Sequence, residues 1–472
     1  MKMRLPTLLW IVSISLFALI ISTFVFAWFT VTSYIRSSAF QQFASIQLNQ
    51  LLRAEGKLEP ISLQDTTLSS NSYVAKGNED SAFEIIKADN IRVHFNLAAI
   101  FFRTWEIEKI QVSTLNIRLN AEPKNELDHS AITGLSSNFP IAFLLPTKLK
   151  IKEVIIEDTN LSWAMPSKDN PPTIRYGTLK QSKLSLVPKD NGSWEARGYG
   201  GKVNTPSYVT HSSLMMDYYR LLVDIPEFKI IEAKANGING GTIFVKGDLK
   251  FSDVISANID YTIGDFPSDD LLPNPLKDHI SGTINSHGKL IHAEETLSIQ
   301  GKVNLNQGYI TGLPSLQKLH NLTKLHDLLR LKLDKAQLDF DYQDSENFRL
   351  ENIRLESNEI LKLMGSLSAS SKQLNGSLDV GTTDRLLSFV PGAKSQVFTI
   401  SREKYHWAAP PMTVTGTTDS FKEDLSPRLQ KAFIGEIQDT VEDTVEKGAE
   451  IIKKGTESIQ EVLPGIIEGF GF

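Results

Sequence analysis

The sequence predicts a mainly β protein: a long curled antiparallel β-sheet forming an open groove, with an N-terminal transmembrane helix and a C-terminal amphipathic helix. Three observations carry the sheet and the two helices that flank it. An uncharged apolar run opens the chain, apolar and polar residues alternate with period two from about residue 57 to 420, and a period near 3.6 returns at the end.

The opening run has no charged residue from Leu5 to Ile35, and only Ser13, Ser15, Ser22 and Thr23 interrupt the apolar residues of Leu8–Phe29. As a helix it would reach about 33 Å, enough for a hydrocarbon core of about 30 Å. Trp10 stands near one end, Trp28 and Tyr34 near the other, as interfacial aromatics do. Lys2 and Arg4 before the span favour a cytoplasmic N-terminus. The competing reading is a cleaved signal peptide, with Ser37-Ser38-Ala39 as the cleavage site. The apolar run is longer than the usual h-region of roughly 7–15 residues, which favours the uncleaved anchor. Residues 1–36 are therefore expected to be stub and anchor, and 37–56 a linking helix with Phe40, Phe43, Ile46, Leu48, Leu51 and Leu52 on its apolar face.

The body divides into 57–270 and 271–423, roughly 16–20 strands at ordinary strand length. Turn signals punctuate it at Asn191-Gly192, Asn236-Gly237, Asn239-Gly240-Gly241 and Asn375-Gly376. Helical exceptions are expected at Leu97–Phe102, Leu316–Leu329 and Asp384–Phe389. The spacing apolar-x-apolar-x-x-apolar-x-apolar recurs at Trp105/Ile107/Ile110/Val112, Leu149/Ile151/Val154/Ile156, Leu331/Leu333/Ala336/Leu338 and Phe348/Leu350/Ile353/Leu355. One extra residue in an alternating run shifts the side-chain phase, so a strand keeping one apolar face must absorb it as a bulge, or else turn. Repeated bulges would curl the sheet. Its apolar face must then close on itself as a sandwich or barrel, or stay open to an apolar guest.

The order of anchor, helix and the stretch from Ala88 through Ile91-Arg-Val-His-Phe95 to Trp105-Glu-Ile-Glu-Lys-Ile-Gln-Val112 and Leu119 resembles the opening of the AsmA family of bacterial envelope proteins. Gly301-Lys-Val-Asn-Leu-Asn-Gln-Gly-Tyr-Ile-Thr-Gly312, the following helix, Leu333–Phe340, Phe348–Ser357 and Gly365-Ser-Leu resemble that family's C-terminal region. The resemblance implies a single-pass inner-membrane protein facing the periplasm, a β-groove related to bridge-like lipid-transfer proteins, and phospholipid or another acyl lipid as its partner. The groove lining is expected to be Trp105, Ile107, Ile110, Val112, Ile151, Val154, Ile156, Leu338, Phe340, Leu350, Ile353 and Leu355. The alternative is a scaffold or assembly factor that pairs an envelope protein against exposed sheet edges.

Chemistry has few candidates here. With no cysteine there is no disulfide, thiolate metal site or cysteine nucleophile, and a net charge of −6 gives no footprint for nucleic acid. No nucleophile elbow, zincin motif or phosphate loop occurs, so neither an enzyme nor a cofactor is expected. His287 and His292 fall on opposite strand faces, and Asp339 and Asp341 on the wet face of a strand, so no metal site is expected either. The tail, 424–472, carries ten acids against five bases. Ile434, Ile437, Val441, Val445, Ala449, Ile452 and Ile459 form a helical stripe ended by Pro464-Gly465. This stripe is expected to dock on protein, as a lid over the groove's terminal strands or against a partner subunit.

Overall fold

The structure is a computed structural model that describes residues 22, 25, 29–30, 32–64, 66–78, 81, 83–96, 104–119, 148–166, 174–205, 213–224, 227–250, 256–272, 276–293, 296–312, 316–317, 320, 325–343, 347–357, 359–390, 392–417 and 420–438. The chain is mainly β and forms two compact units, Met1–Gly201 and Lys202–Phe472. Among the described residues no helix is long and apolar enough to cross a membrane, and most of the expected span 8–29 lies outside them. The expected turn at Leu97–Phe102 lies outside them as well.

In the first unit, helix α1 (Ser38–Leu52) is followed by β1 (Ala54–Leu58), β2 (Ser62–Gln64), β3 (Thr67–Gly77), β4 (Phe83–Asn96), β5 (Thr104–Leu119), β6 (Lys148–Ile151), β7 (Val154–Pro166), β8 (Ile174–Pro188) and β9 (Trp194–Tyr199). Ser37 caps α1 by accepting from the Phe40 amide, and Arg53 ends it in the left-handed region at φ 51°. The helix lies on the sheet: Ala44, Leu48 and Leu52 pack onto Tyr73, Ala75, Ile86, Val112 and Ile156. Burying each large aliphatic side chain of this kind contributes about 1.5–3 kcal/mol. β1 and β2 both pair with β3, and neighbours pair antiparallel from β3 to β5 and from β7 to β9. The expectation of a wholly antiparallel sheet fails at one place. β5 pairs parallel with both β6 and β7, because the chain returns to the start of β5 before resuming.

The second unit is an antiparallel meander of β10 (Lys202–Asn204), β11 (Leu214–Asp224), β12 (Glu227–Gly237), β13 (Thr242–Lys250), β14 (Ser256–Pro267), β15 (Ile280–Ala293), β16 (Thr296–Thr311), β17 (Arg330–Leu333), β18 (Lys335–Tyr342), β19 (Phe348–Ser357), β20 (Leu361–Ser370) and β21 (Gln373–Thr382). The short strands β22 (Ile400–Arg402), β23 (Tyr405–Trp407), β24 (Met412–Thr417) and β25 (Phe421–Glu423) complete it, β23 and β24 both pairing with β21. Helices α2 (Ser268–Leu271), α3 (Asp384–Leu387), α4 (Ala393–Gln396) and α5 (Leu425–Gln438) lie among them. Of the expected helix Leu316–Leu329, Leu316, Gln317 and His320 are helical and His326–Leu328 makes a single 3₁₀ turn.

The extra residue of the repeat is absorbed in two ways. At Phe348/Leu350/Ile353/Leu355 it is a bulge, with Asn352 at φ 50° and the register slipping between Leu350 and Ile353. At Trp105/Ile107/Ile110/Val112 the register with β4 also slips. At the other two repeats the strand breaks, at Lys152-Glu153 between β6 and β7 and at Asp334 between β17 and β18. Asn375-Gly376, expected as a turn, lies inside β21 opposite Ser368 and Leu367. Ser371 and Lys372 make the turn instead, both at positive φ (48° and 68°), while Gly376 leaves the room that Leu367 fills.

Candidate functional site

Alternation gives the sheet of the second unit one apolar and one charged face. A single cross-strand row shows how differently the apolar face is covered along its length. It runs Val245–Tyr261–Gly288–Gly301–Phe340–Leu350–Leu367–Gly376–Val414, from β13 to β24. Leu350 and Leu367 are each 6% exposed and Val414 is fully buried, in a core that includes Leu387, Val397, Leu425 and Ala432 of the C-terminal helices and their loops. At the β13 end the row is only half-buried, as are its neighbours Ile259, Ile263, Leu290, Ile299 and Val303. Among the described residues, the helical turns with substantial contact to β14 and β15 are 268–271 and 276–278, near the β14–β15 connection.

Tyr261 fills the centre of this half-covered stretch. Gly288 and Gly301 are register partners, and a Cβ on either would stand 2.7 Å from the Tyr261 hydroxyl. The phenol therefore occupies a trough that two glycines leave across β15 and β16. Burial holds its pKa above the ordinary tyrosine value, against the opposing effect of its hydrogen bond with Ser286.

The sequence-predicted lining residues fall into separate cores. Val112 and Ile156 are buried, with Ile110 and Val154 packed on them, beneath α1. Ile107 joins Tyr34, Ile35, Phe40 and Phe95. Leu338, Phe340, Leu350 and Ile353 belong to the core under the C-terminal helices, and Leu355 packs with Leu328, Leu331 and Leu333. Ile151 is half-buried, and the Trp105 side chain lies outside the described residues. The half-covered residues of β13–β16 were not singled out, because alternation reads the same whether or not something lies on top. Of the tail stripe, Ile434 and Ile437 lie on α5 with side chains outside the described residues. Val441, Val445, Ala449, Ile452 and Ile459 lie wholly outside them. The described part of α5 packs Leu425, Leu429 and Ala432 onto the core.

The charged face carries a concavity of about 790 Å³, lined by Lys246, Asp260, His287, Lys289, Lys302, Asp339, Asp341 and Arg349 among others. Its ion pairs are long: Lys246–Asp260 at 3.8 Å, Lys289–Asp260 at 3.7 Å and Lys302–Asp339 at 3.5 Å. Such pairs on open strands contribute little to stability. His287 faces this side and His292, a register partner of Leu297, the other. Among the described residues no group of three histidine or carboxylate side chains could hold a metal. No protein family, curated protein or solved structure matches the chain.

Proposed function

We propose that this is a bacterial inner-membrane protein, anchored by the span at Leu8–Phe29 with its bulk in the periplasm, that binds and conducts phospholipid along an apolar sheet face towards the outer membrane. The observation that carries the reading is the half-covered apolar stretch Val245, Ile259, Ile263, Leu290, Ile299 and Val303, on the sheet face that is buried further along at Leu350, Leu367 and Val414. Apolar surface left in water costs about 25 cal/mol per Å², so a face of this kind gains by taking up acyl chains. The contact is non-directional, which suits a ligand that must slide. The resemblance to AsmA proteins in Ala88–Leu119 and Gly301–Ser357 supports the same reading. The groove, the anchor and a docking tail are parts of this proposal.

The test places photo-crosslinking side chains at Ile259, Leu290 and Ile299, with Leu350 and Val414 as buried controls, in the full chain expressed in a bacterial envelope. Lipid adducts at the first three and not at the controls are expected. Folded protein that yields none at Ile259, Leu290 or Ile299, or that yields a protein adduct there instead, overturns the lipid reading.

A further inference from the structure

At one edge of the first unit's sheet, side chains stand where a further strand would pair. β1 pairs with β3 along Ala54–Leu58, and among the described residues no strand pairs with its other side. Along an antiparallel strand, residues alternate between turning both backbone groups to one neighbour and turning both away. The Asn78 amide donates to the Arg53 carbonyl at 3.0 Å, and the Glu59 amide to the Ser72 carbonyl at 2.9 Å, which sets the phase. Arg53, Glu55, Lys57 and Glu59 therefore turn towards β3, and Ala54, Gly56 and Leu58 turn outward. Such an edge is a ready template for another chain.

Two side-chain amides of α1 occupy that template. Gln41 Nε2 donates to the Leu58 carbonyl at 2.9 Å, and Asn49 Nδ2 to the Gly56 carbonyl at 3.0 Å. These are the outward carbonyls that the amides of an added strand would take. The Tyr73 hydroxyl donates to Asn49 Oδ1 and so fixes which end of this amide faces β1. Packing of α1 does not require either bond, since Ala44, Leu48 and Leu52 supply its contact with the core. Pro60, which has no amide to donate, ends the template before β2.

The guarded edge is complementary to itself. In a second copy laid antiparallel with Gly56 opposite Gly56, Ala54 meets Leu58 and Glu55 meets Lys57. The outward residues 54, 56 and 58 then face one another, as the ladder requires. Gly56 brings no side chain to the centre, and an exposed carboxylate meets an exposed ammonium on either side of it.

We infer that β1 is a strand-acceptor edge for a second copy of this chain, held shut by Gln41 and Asn49 of α1. The inference is independent of the anchor and of the lipid reading.

The chain has no cysteine, so introduced thiols report alone. Residues 55 and 57 of the two copies would form a non-hydrogen-bonded pair, about 4.5 Å between Cα atoms, which a disulfide can span. Differently tagged full-length chains carrying Glu55→Cys or Lys57→Cys are mixed in detergent and oxidised, with and without Gln41→Leu and Asn49→Leu in both. Little cross-linked dimer is expected from the guarded chains. Several-fold more is expected without the guard, with 55–57 links outnumbering 55–55 and 57–57 links. Folded double variant that stays uncross-linked overturns the inference. Equal yields from the three combinations overturn it too, because they show association without this register, and guarded chains that cross-link as well as the variant show that nothing is held shut. Should the double variant lose its cooperative melt, Gln41→Leu alone, which keeps the Tyr73–Asn49 bond, is read by the same outcomes.

Discussion

The Tyr73 hydroxyl donates to Asn49 Oδ1 at 2.8 Å, joining β3 to the helix that covers it. The same asparagine donates from Nδ2 to the Gly56 carbonyl on β1, so one side chain stitches three elements. Gly56 is required beneath it, since a Cβ there would stand 2.4 Å from that of Ala75 and 2.8 Å from the Tyr73 oxygen.

Tyr73→Phe leaves Asn49 Oδ1 without this donor and should cost about 1–2 kcal/mol, with Asn49→Ala costing more because two bonds go. Burial pushes the Tyr73 phenol up to about 12 from 10.0. The folded state then holds its proton where the unfolded chain gives it up, so this contribution is complete below about pH 10 and is lost as pH rises towards 12. Thermal melts from pH 8 to 12 should fall less steeply in the Tyr73→Phe variant. Parallel curves would disprove the assignment.

Glu423 is a buried carboxylate at the head of α5, accepting from the Leu425 amide at 2.7 Å and the Ser426 amide at 3.0 Å. Removing it by Glu423→Ala leaves those amides unpaired and should cost about 1–3 kcal/mol. Amide exchange should speed up across 425–438 before it does in β19–β21. Uniform change, or none, would exclude a capping role.

Two glycines at positive φ should respond to alanine by very different amounts. Gly365, at φ 149°, faces the bulge in β19, and a Cβ there would come within 2.1 Å of the Ser377 carbonyl. Gly365→Ala should cost several kcal/mol, whereas Gly192→Ala, at φ 88° with nothing within 4 Å, should cost about 1 kcal/mol. Similar denaturation midpoints for the two would show that backbone crowding is not what selects glycine at 365.

The uneven cover of the apolar row gives a further contrast. Leu350→Ala should cost about 2–5 kcal/mol, as for a closed core. Ile299→Ala, at a half-covered site, should cost clearly less and lower the amount of co-purified phospholipid. Equal destabilisation with unchanged lipid would argue that β16 lies in a closed core too.

Much of the architecture was legible because period two is a direct consequence of the pleat, and because Phe348/Leu350/Ile353/Leu355 can keep one apolar face only by bulging. What stayed hidden depends on conformation or distance. Asn90, Gln181, Asp265, Gln307 and Asn352 all have positive φ within strands, yet each reads in sequence as a wet-face polar residue. Their partners are on neighbouring strands: the Asp265 amide donates to Asn285 Oδ1 at 3.0 Å, and Asn352 donates to Asp339 Oδ2 at 2.6 Å. Asn375-Gly376 misled because a glycine can serve packing as well as a turn. The difference between Leu350 and Ile299 is set by helices at 384–398 and 425–432, far along the chain from either residue.

The pairing pattern also sets an order of assembly. In the second unit, neighbours in sequence are neighbours in the sheet from β10 to β16, so each strand finds a finished template as soon as it follows the last. Closing such short loops is entropically cheap and fast. β5 finds β4 in the same way, but its other edge has no such neighbour. Its parallel partners begin at Lys148, and until residues 148–166 arrive it presents an unpaired edge sixteen residues long. A chain delivered from its N-terminus would therefore meet its main kinetic hazard early, as an exposed β5 available to the wrong strand, and the rest could zip up behind it once that gap had closed.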